Sequence, residues 1–413
     1  MKTWKEITHC GGLDWAKNKH YLVILNAEGR IVAEFGFEHS AEGWSQFREK
    51  LRAFPAVAIA VETNQGAAVE NLLQTDCTVY PVNPRSACHY RERKRPSGDK
   101  TDAVDAWGLA DALRLEGATW KPLTPEDPHI VQLRLLCRDE MALIAQRTAL
   151  VNQLQQALYE YYPAALEAFE EWTQPAAWAF VAAFPTTHAL IQAGRRKWEK
   201  FLHVHRLWRP TTAEKRLEIF ARADQFCGAE AVTAAKSRLA LTYVPMLQVL
   251  QKRLDEYRVR IEELFRQHPD HQWFGSLPGA GAKLAPRLFS EIGSDRGRFE
   301  DANGLQCLAG TAPVRYQSGQ INRARLRYAC NKHLRYTVHL WADLSRASCP
   351  WAQSYYEHHR EKGRGHADAL RRLGNRWLKI LWKMWQTRTC YDADQHTRNQ
   401  TEHGSWVLKL ENA

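Results

Sequence analysis

The chain has 413 residues, 45% hydrophobic and 11% aromatic, and 57 Lys+Arg against 46 Asp+Glu give it a net charge of +11. This excludes a disordered basic tail and leaves room for two or three domains with real cores. The longest uncharged apolar run, residues 176–184, is nine residues, under half a membrane span. No apolar leader with a small-residue cleavage site stands at the N-terminus, and the nine cysteines are scattered with no C-x-x-C pair. The expectation is a cytoplasmic protein without membrane partners, with reduced thiols and no zinc knuckle.

Residues 7–118 alternate strand and helix patterns. A strand over 7–13 runs into Asp14, and apolar segments 20–25 and 31–37 flank the turn Asn26-Ala27-Glu28-Gly29, a hairpin signal. Residues 41–54 have helical spacing. Residues 56–61 (Ala-Val-Ala-Ile-Ala-Val) form the continuous β-prone run of a strand buried on both faces. A helix over 67–73, a strand over 78–82, a basic loop and a helix over 101–115 follow. The order βββαβαβα predicts a mixed sheet of the ribonuclease-H type within an α/β class, although periodicity alone fits any α/β domain.

Pro122, Pro125 and Pro128 end this first domain, taken as 1–120. Two long helices are predicted beyond it. One repeats Leu136, Leu143 and Leu150 every seven residues, flanked by Ile144, Val151 and Leu158. The other spaces Leu247, Leu250, Leu254, Tyr257, Ile261 and Leu264 by threes and fours, an a/d seam. They pair within one chain or between protomers, and the sequence leaves both open. The region 121–268 is thus linker and coiled-coil helices, interrupted by a helical insertion over 165–228. From 269 to 390 the chain is mostly helical and basic, and 391–413 is a polar tail.

The charge is concentrated. Residues 311–390 hold 16 Lys+Arg against 4 Asp+Glu, leaving 41 against 42 elsewhere. Such a segment suits a binder of phosphate backbones; a solubilising surface is the plainer reading. The tryptophans among these charges (Trp341, Trp351, Trp377, Trp382, Trp385) fit a helical core or a subunit interface better than base stacking. Leu277-Pro278-Gly279-Ala280-Gly281 ahead of an apolar helix resembles one arm of a helix-hairpin-helix, whose backbone N–H groups approach a phosphate.

Four carboxylates stand where chemistry is expected. Asp14 and Glu62 close two strands, and ligands gather at the carboxyl ends of such strands. Asp102 and Asp105 lie on one face of a helix turn. Converging carboxylates repel unless cations sit among them, and all-oxygen ligation suits Mg²⁺, with Mn²⁺ as a substitute. Each taken singly has a structural alternative: a turn residue for Asp14, a helix cap for Asp102. Asp99, one turn earlier, is read as a cap or as a support behind the ligands, not as a ligand itself.

Gly12-Leu13-Asp14-Trp15-Ala16-Lys17, Val61-Glu62-Thr63 and Lys100-Thr101-Asp102-Ala103-Val104-Asp105-Ala106 resemble the D-E-D-D signature of the transposases of insertion sequence 110 and its relatives, which include the pilin-gene invertase. The similarity continues through Leu277-Pro278-Gly279-Ala280-Gly281, Leu308-Ala309-Gly310-Thr311-Ala312-Pro313, Gln317-Ser318-Gly319 and Asn331-Lys332-His333-Leu334-Arg335. Two positions depart from the family pattern: Thr63-Asn64-Gln65-Gly66 spaces out a glycine, and Cys330 replaces one.

The resemblance implies a RuvC-like domain whose Asp14, Glu62, Asp102 and Asp105 hold Mg²⁺, and a transposase domain with Ser318 as nucleophile. It also implies recombination between donor and target DNA guided by a structured noncoding bridge RNA, by homodimers that assemble into a tetramer. Lys17, Arg93, Lys94, Arg95, Lys100, Arg315, Arg323, Arg325, Arg327, Lys332 and Arg335 are the expected nucleic-acid contacts. Two competing readings are a metal-dependent nuclease or Holliday-junction resolvase that hydrolyses with water, and a non-catalytic binder of structured nucleic acid.

Overall fold

The computed structural model describes residues 2–63, 66–94 and 101–404. The chain divides into two compact units, 1–126 and 127–413.

The first unit is a five-stranded mixed sheet with helices. Its elements are β1 His9–Trp15, β2 Lys19–Leu25, β3 Ile31–Glu38, α1 Ala41–Leu51, β4 Val57–Val61, α2 Ala67–Leu73, β5 Thr78–Pro81, α3 Pro84–Lys94 and α4 Asp102–Glu116. The strand order is β3-β2-β1-β4-β5. β1 pairs antiparallel with β2 and parallel with β4; β4 pairs parallel with β5. All five residues of β4 are buried, as a central strand covered on both faces requires. The β2–β3 turn places Gly29 at φ +79°, and its N–H donates to the Asn26 carbonyl at 3.0 Å.

One expectation fails here. The basic stretch read as a loop is helical from Pro84 to Lys94. Pro84 fits the first helical position, the Asn83 side chain accepts from the Arg85 N–H at 2.9 Å, and Tyr90 packs against Trp120, ring centroids 6.1 Å apart. Charge hides a helix that tertiary contacts support.

The second unit is mostly helical: α5 Pro128–Tyr161, α6 Pro163–Ala168, α7 Pro175–Ala183, α8 Thr187–Val204, α9 Pro210–Ala221, α10 Glu230–Gln267, α11 His271–Gly275, α12 Gly281–Ile292, α13 Ala302–Leu308, β6 Val314–Ser318, β7 Ile321–Arg325, α14 Lys332–Ser348, α15 Pro350–Glu361, α16 His366–Thr387 and α17 Ala393–Glu402. Helices α5 and α10 pack antiparallel within the chain: His129 bonds the Leu264 carbonyl at 2.7 Å, Arg147 donates to Gln251 at 2.6 Å, and Lys236 reaches Glu160 at 2.8 Å. The α10 seam buries Leu247, Leu254, Ile261 and Leu264 as its spacing predicts. On α5 the buried line is Ile130, Leu133, Cys137 and Glu140, then Val151, Leu154, Leu158 and Tyr161. Leu136, Leu143 and Leu150 are only half-buried. Of the flanking residues, Val151 and Leu158 are in the buried line, and the seam also admits an acid: Glu140 is neutralised by Arg287 at 2.7 Å and Arg258 at 3.3 Å.

Residues 165–228 contribute to their own aromatic core with Trp172, Trp178, Phe180, Trp198 and Phe220. The last core gathers α11 to α16, where Trp341, Trp351, Trp377 and Trp385 are buried. They are core and not base platforms. Gly279 (φ +74°) is a packing position: a Cβ there would lie 2.6 Å from the Ser345 backbone nitrogen, and the Trp341 indole donates to the Pro278 carbonyl at 2.9 Å. The expected loose tail is ordered in its first part. Tyr391 accepts from the Trp351 indole at 3.0 Å, and on α17 the His396 ring lies 4.9 Å from that of Trp351. Tyr391, His396 and Gln400, the last accepting from Arg376 at 2.6 Å, anchor a segment whose composition is polar.

Candidate active site

In the first unit, strand register brings the acids to one end of the sheet. Leu13 is paired with Val61 across parallel strands, so Asp14 and Glu62, one residue further along each, are neighbours at the carboxyl ends. Both are half-buried. Helix α4 crosses β1 closely because Gly12 lacks a side chain: a Cβ would stand 2.0 Å from the Ala106 carbonyl oxygen and 2.5 Å from the Ala110 nitrogen. Thr101 caps α4, its hydroxyl accepting from the Val104 N–H at 3.3 Å. Asp102 is therefore a first-turn acid and not the cap, and both aspartates sit where the helix dipole favours negative charge. Tyr21 lies opposite Asp14 in the β1–β2 ladder. Burial raises its hydroxyl pKa, and the charges of Glu34 and Asp102 add to that.

Asp105 has a cationic partner that no local sequence pattern assigns. Arg91 on α3 donates from Nη1 to Asp105 Oδ1 at 3.1 Å, and this bond, with the carboxylate's charge, raises the Arg91 pKa. Among the described residues, no group of three or more His, Cys, Asp or Glu side chains is placed to hold one metal ion. The donor set still fits a hard divalent cation: it is all carboxylate oxygen, and a guanidinium already serves as the cation beside one member. Lys17 is exposed in the β1–β2 connection. Arg93 pairs with buried Asp111, which gives it a structural partner, and Lys94 ends α3. Arg95, Asp99 and Lys100 lie outside the described residues.

In the second unit Ser318 ends β6 and pairs with Ile321. The two residues between them form a tight hairpin turn with Gly319 at φ +54°, the positive φ that the first position of a type II′ turn demands. Every residue of both strands is exposed. The register Tyr316↔Arg323 and Val314↔Arg325 puts Ser318, Tyr316, Arg323 and Arg325 on one face, since alternate residues share a face. Arg315 belongs to the other. The Arg325 guanidinium lies 3.9 Å from the Tyr316 ring centroid, a cation–π contact.

The base of the hairpin is tied down by two arginines expected to contact nucleic acid. Arg327 donates to the Ala312 carbonyl at 3.3 Å, and Arg335 donates to the Arg327 carbonyl. Gly310 makes room for this, because a Cβ there would lie 2.4 Å from Arg335 Nη2. Asn331 caps α14 by accepting from the Leu334 N–H at 3.0 Å and donates to Glu291 at 2.6 Å. Burial pushes the Glu291 carboxyl up, but Arg138, bound through two bonds at 2.7 and 2.8 Å, and Asn331 outweigh it and hold the pKa below its ordinary value. Lys332 is exposed at the first turn of α14.

The hairpin has a sequence signal that composition masks. Val314, Tyr316, Ser318 and Ile321, Arg323, Arg325 alternate about a Gly-containing pair, and arginines on both strands disguise the pattern as a basic loop.

A family model described as "Transposase" matches residues 11–163, and one described as "Transposase IS116/IS110/IS902 family" matches residues 271–357. The chain is 31% identical over 410 residues to the mini-circle putative transposase for IS117 of Streptomyces coelicolor, covering 95% of this chain and 97% of that protein. It is 28% identical to the insertion element IS900 uncharacterized 42 kDa protein of Mycobacterium paratuberculosis (92% and 96% covered). It is 26% identical to the insertion element IS110 uncharacterized 43.6 kDa protein of S. coelicolor (92% and 95%).

Proposed function

The chain belongs to the IS110 family of insertion-sequence transposases, and from that premise we propose that it cuts and rejoins DNA through a covalent link to Ser318. The observation that carries this reading is the placement of Ser318: at the tip of an exposed hairpin, beside a glycine turn, with Arg323 and Arg325 on its own face. A glycine turn permits close approach to a phosphodiester, and guanidinium groups stabilise the charge that grows on phosphoryl oxygens.

In the proposed step, the Ser318 oxygen attacks phosphorus, a P–Oγ bond forms and the bond to the leaving 3′ oxygen breaks. The serine proton passes to a base or solvent, and the leaving oxygen takes up a proton. Attack by a 3′ hydroxyl on the phosphoserine reverses these changes, so strands reseal without ATP. Asp14, Glu62, Asp102 and Asp105 would hold Mg²⁺, with Mn²⁺ as substitute. That ion would supply charge neutralisation at the attacking or leaving oxygen. The β3-β2-β1-β4-β5 order with β2 antiparallel is compatible with a ribonuclease-H or RuvC-like domain and in that way supports this assignment. The proposal extends to donor and target DNA as substrates, a structured bridge RNA as guide, and homodimers joined into a tetramer. The basic segment over 311–390 is the feature that supports polyanion partners.

The test is to incubate the protein with Mg²⁺, flanking DNA and the RNA from the element's flank, then denature. A protein–DNA adduct should form, vanish in Ser318→Ala and fall sharply in Asp105→Asn, while RNA affinity persists. Free ends produced equally by Ser318→Ala would establish water as the nucleophile, and the hydrolase reading would replace this one. No cutting under any metal condition would leave a binding protein.

A further inference from the structure

Arg91 and Asp105 are an unusual pair for a site expected to take a cation. The backbone of α3 is held at Arg91, where a Cβ on Gly108 of α4 would come within 3.2 Å of the Arg91 nitrogen. Tyr90 alongside donates to Glu116 at 2.7 Å. The helix is fixed, yet the Arg91 side chain is loosely used. Its bond to Asp105 is a single one at 3.1 Å, and its Nη2 meets the Cys88 sulfur, a weak acceptor, at 3.2 Å. Both side chains of the ion pair keep some solvent contact, 23% for Arg91 and 16% for Asp105. Arg93, two residues on, is committed to Asp111, so the two arginines of this helix end differ in what releasing them would cost.

A guanidinium on Asp105 and a divalent ion on Asp105 compete, since two cations at one carboxylate repel. An arginine leaving that carboxylate has a better-matched acceptor in a phosphodiester, whose oxygens suit the bidentate fork. We propose that Arg91 is a displaceable stand-in cation on Asp105. It neutralises the carboxylate in the free protein, and it transfers to a nucleic-acid phosphate when the divalent ion binds. No covalent bond changes; one ion pair is exchanged for two. Ion binding and nucleic-acid binding then reinforce each other by the same factor, which keeps the site unloaded until a strand is present. The inference rests on Asp105 being a metal ligand, as proposed above.

Mn²⁺ titration of the full-length protein, followed by the loss of the free-ion paramagnetic resonance signal, tests it without reference to catalysis. Wild type should bind Mn²⁺ more tightly when a single-stranded DNA oligonucleotide is present. Arg91→Gln should bind Mn²⁺ about twofold to fivefold more tightly than wild type in the absence of DNA, the range set by what such part-exposed pairs contribute. Its affinity should no longer respond to the oligonucleotide. Unchanged or weaker Mn²⁺ binding by Arg91→Gln, with the DNA response intact, overturns the inference. Asp105→Asn separates the two claims. If it loses Mn²⁺ binding while Arg91→Gln behaves as wild type, only the exchange is wrong; if it binds Mn²⁺ as wild type does, the ligand assignment and the exchange both fail. Should Arg91→Gln not fold, Arg91→Lys replaces it, and a DNA response equal to wild type overturns the proposal, because an ammonium lacks the fork.

Discussion

The two halves of the proposed chemistry are built on opposite principles. The carboxylates of the first unit are carried by strands and by a helix locked against β1 at Gly12, where no side chain fits. The serine of the second unit sits on a ribbon whose ten strand residues are all exposed. That ribbon is held through its base, by Arg327, Arg335 and the cap residue Asn331. Acids that must share charge need a rigid frame, because small displacements change their mutual repulsion. In the proposed reaction the serine must reach a phosphodiester, and a hairpin anchored at one end provides that reach. Substitutions should accordingly cost stability in the frame and at the anchor, and cost function alone at the tip.

The largest effect is expected at the anchor. Glu291 is 3% exposed and holds both Arg138 and Asn331. Glu291→Ala takes the carboxylate away from the Arg138 guanidinium and should destabilise the second unit by about 3 kcal/mol, as for other broken buried pairs. Denaturant unfolding at neutral pH measures this. The pH dependence has a definite sign. The folded carboxyl has its pKa lowered, so its contribution is complete above the unfolded value of about 4.3 and disappears as the pH falls through the folded one. The gap between wild type and Glu291→Gln should therefore be full at neutral pH and close in acid. A gap that widened on acidification would show that the pair does not hold the carboxylate charged.

Next is the frame. Gly12→Ala places a methyl group against α4 backbone atoms that cannot yield as a side chain could. A loss of about 1–3 kcal/mol is expected from overpacking, with amide protection falling first along α4 in hydrogen exchange. Retention of that protection would mean that α4 does not depend on the close approach at Gly12.

These contrasts also explain how far the sequence can be read. The buried run of β4, the Asn26–Gly29 turn and the α10 seam are legible because period and turn chemistry act locally. The places of Asp14, Glu62, Asp102 and Asp105 at strand and helix ends are legible for the same reason. What stays hidden is set by partners distant in sequence. Helix α3 looks like a charged loop until Trp120 and α4 are seen to cover it. The place of Glu140 in the α5 seam is missed because it counts as polar, and only Arg287 and Arg258 make it a core residue. Tyr391 looks like the start of a tail because nothing local points to Trp351. Arg327 and Arg335 read as free basic residues, whereas backbone carbonyls engage them. For the site itself, the Arg91–Asp105 pair joins residues fourteen apart on two helices and has no local signal.

At the tip the expected energies are small. A Cβ on Gly319 would meet nothing within 4 Å among the described residues, and the constraint on this glycine is its φ of +54°. Gly319→Ala should cost about 1 kcal/mol, lowering the melting temperature by no more than about 2–4 °C. Adduct formation through the adjacent Ser318 should nevertheless fall several-fold. A melting temperature lowered well beyond that range would show that the hairpin supports the fold and is not merely carried by it.

The smallest energetic effect is the most specific one. Arg323 and Arg325 share a face with Ser318, and Arg315 lies on the other. If the serine face meets the DNA backbone, Arg323→Gln should weaken DNA binding and reduce the slope of log affinity against log salt by about 0.9, the counterion release of one phosphate contact on B-DNA. Arg315→Gln should leave the slope nearly as it was, with folding unaffected in both because neither side chain is buried. Arg325→Gln should lower the slope as Arg323→Gln does and also free the Tyr316 ring. Equal slope changes for Arg315 and Arg323 would mean that nucleic acid wraps both faces of the ribbon, and the one-faced approach to Ser318 would have to be abandoned. No change for any of the three would remove the ribbon from the phosphate backbone altogether, and with it the electrostatic support proposed for the serine.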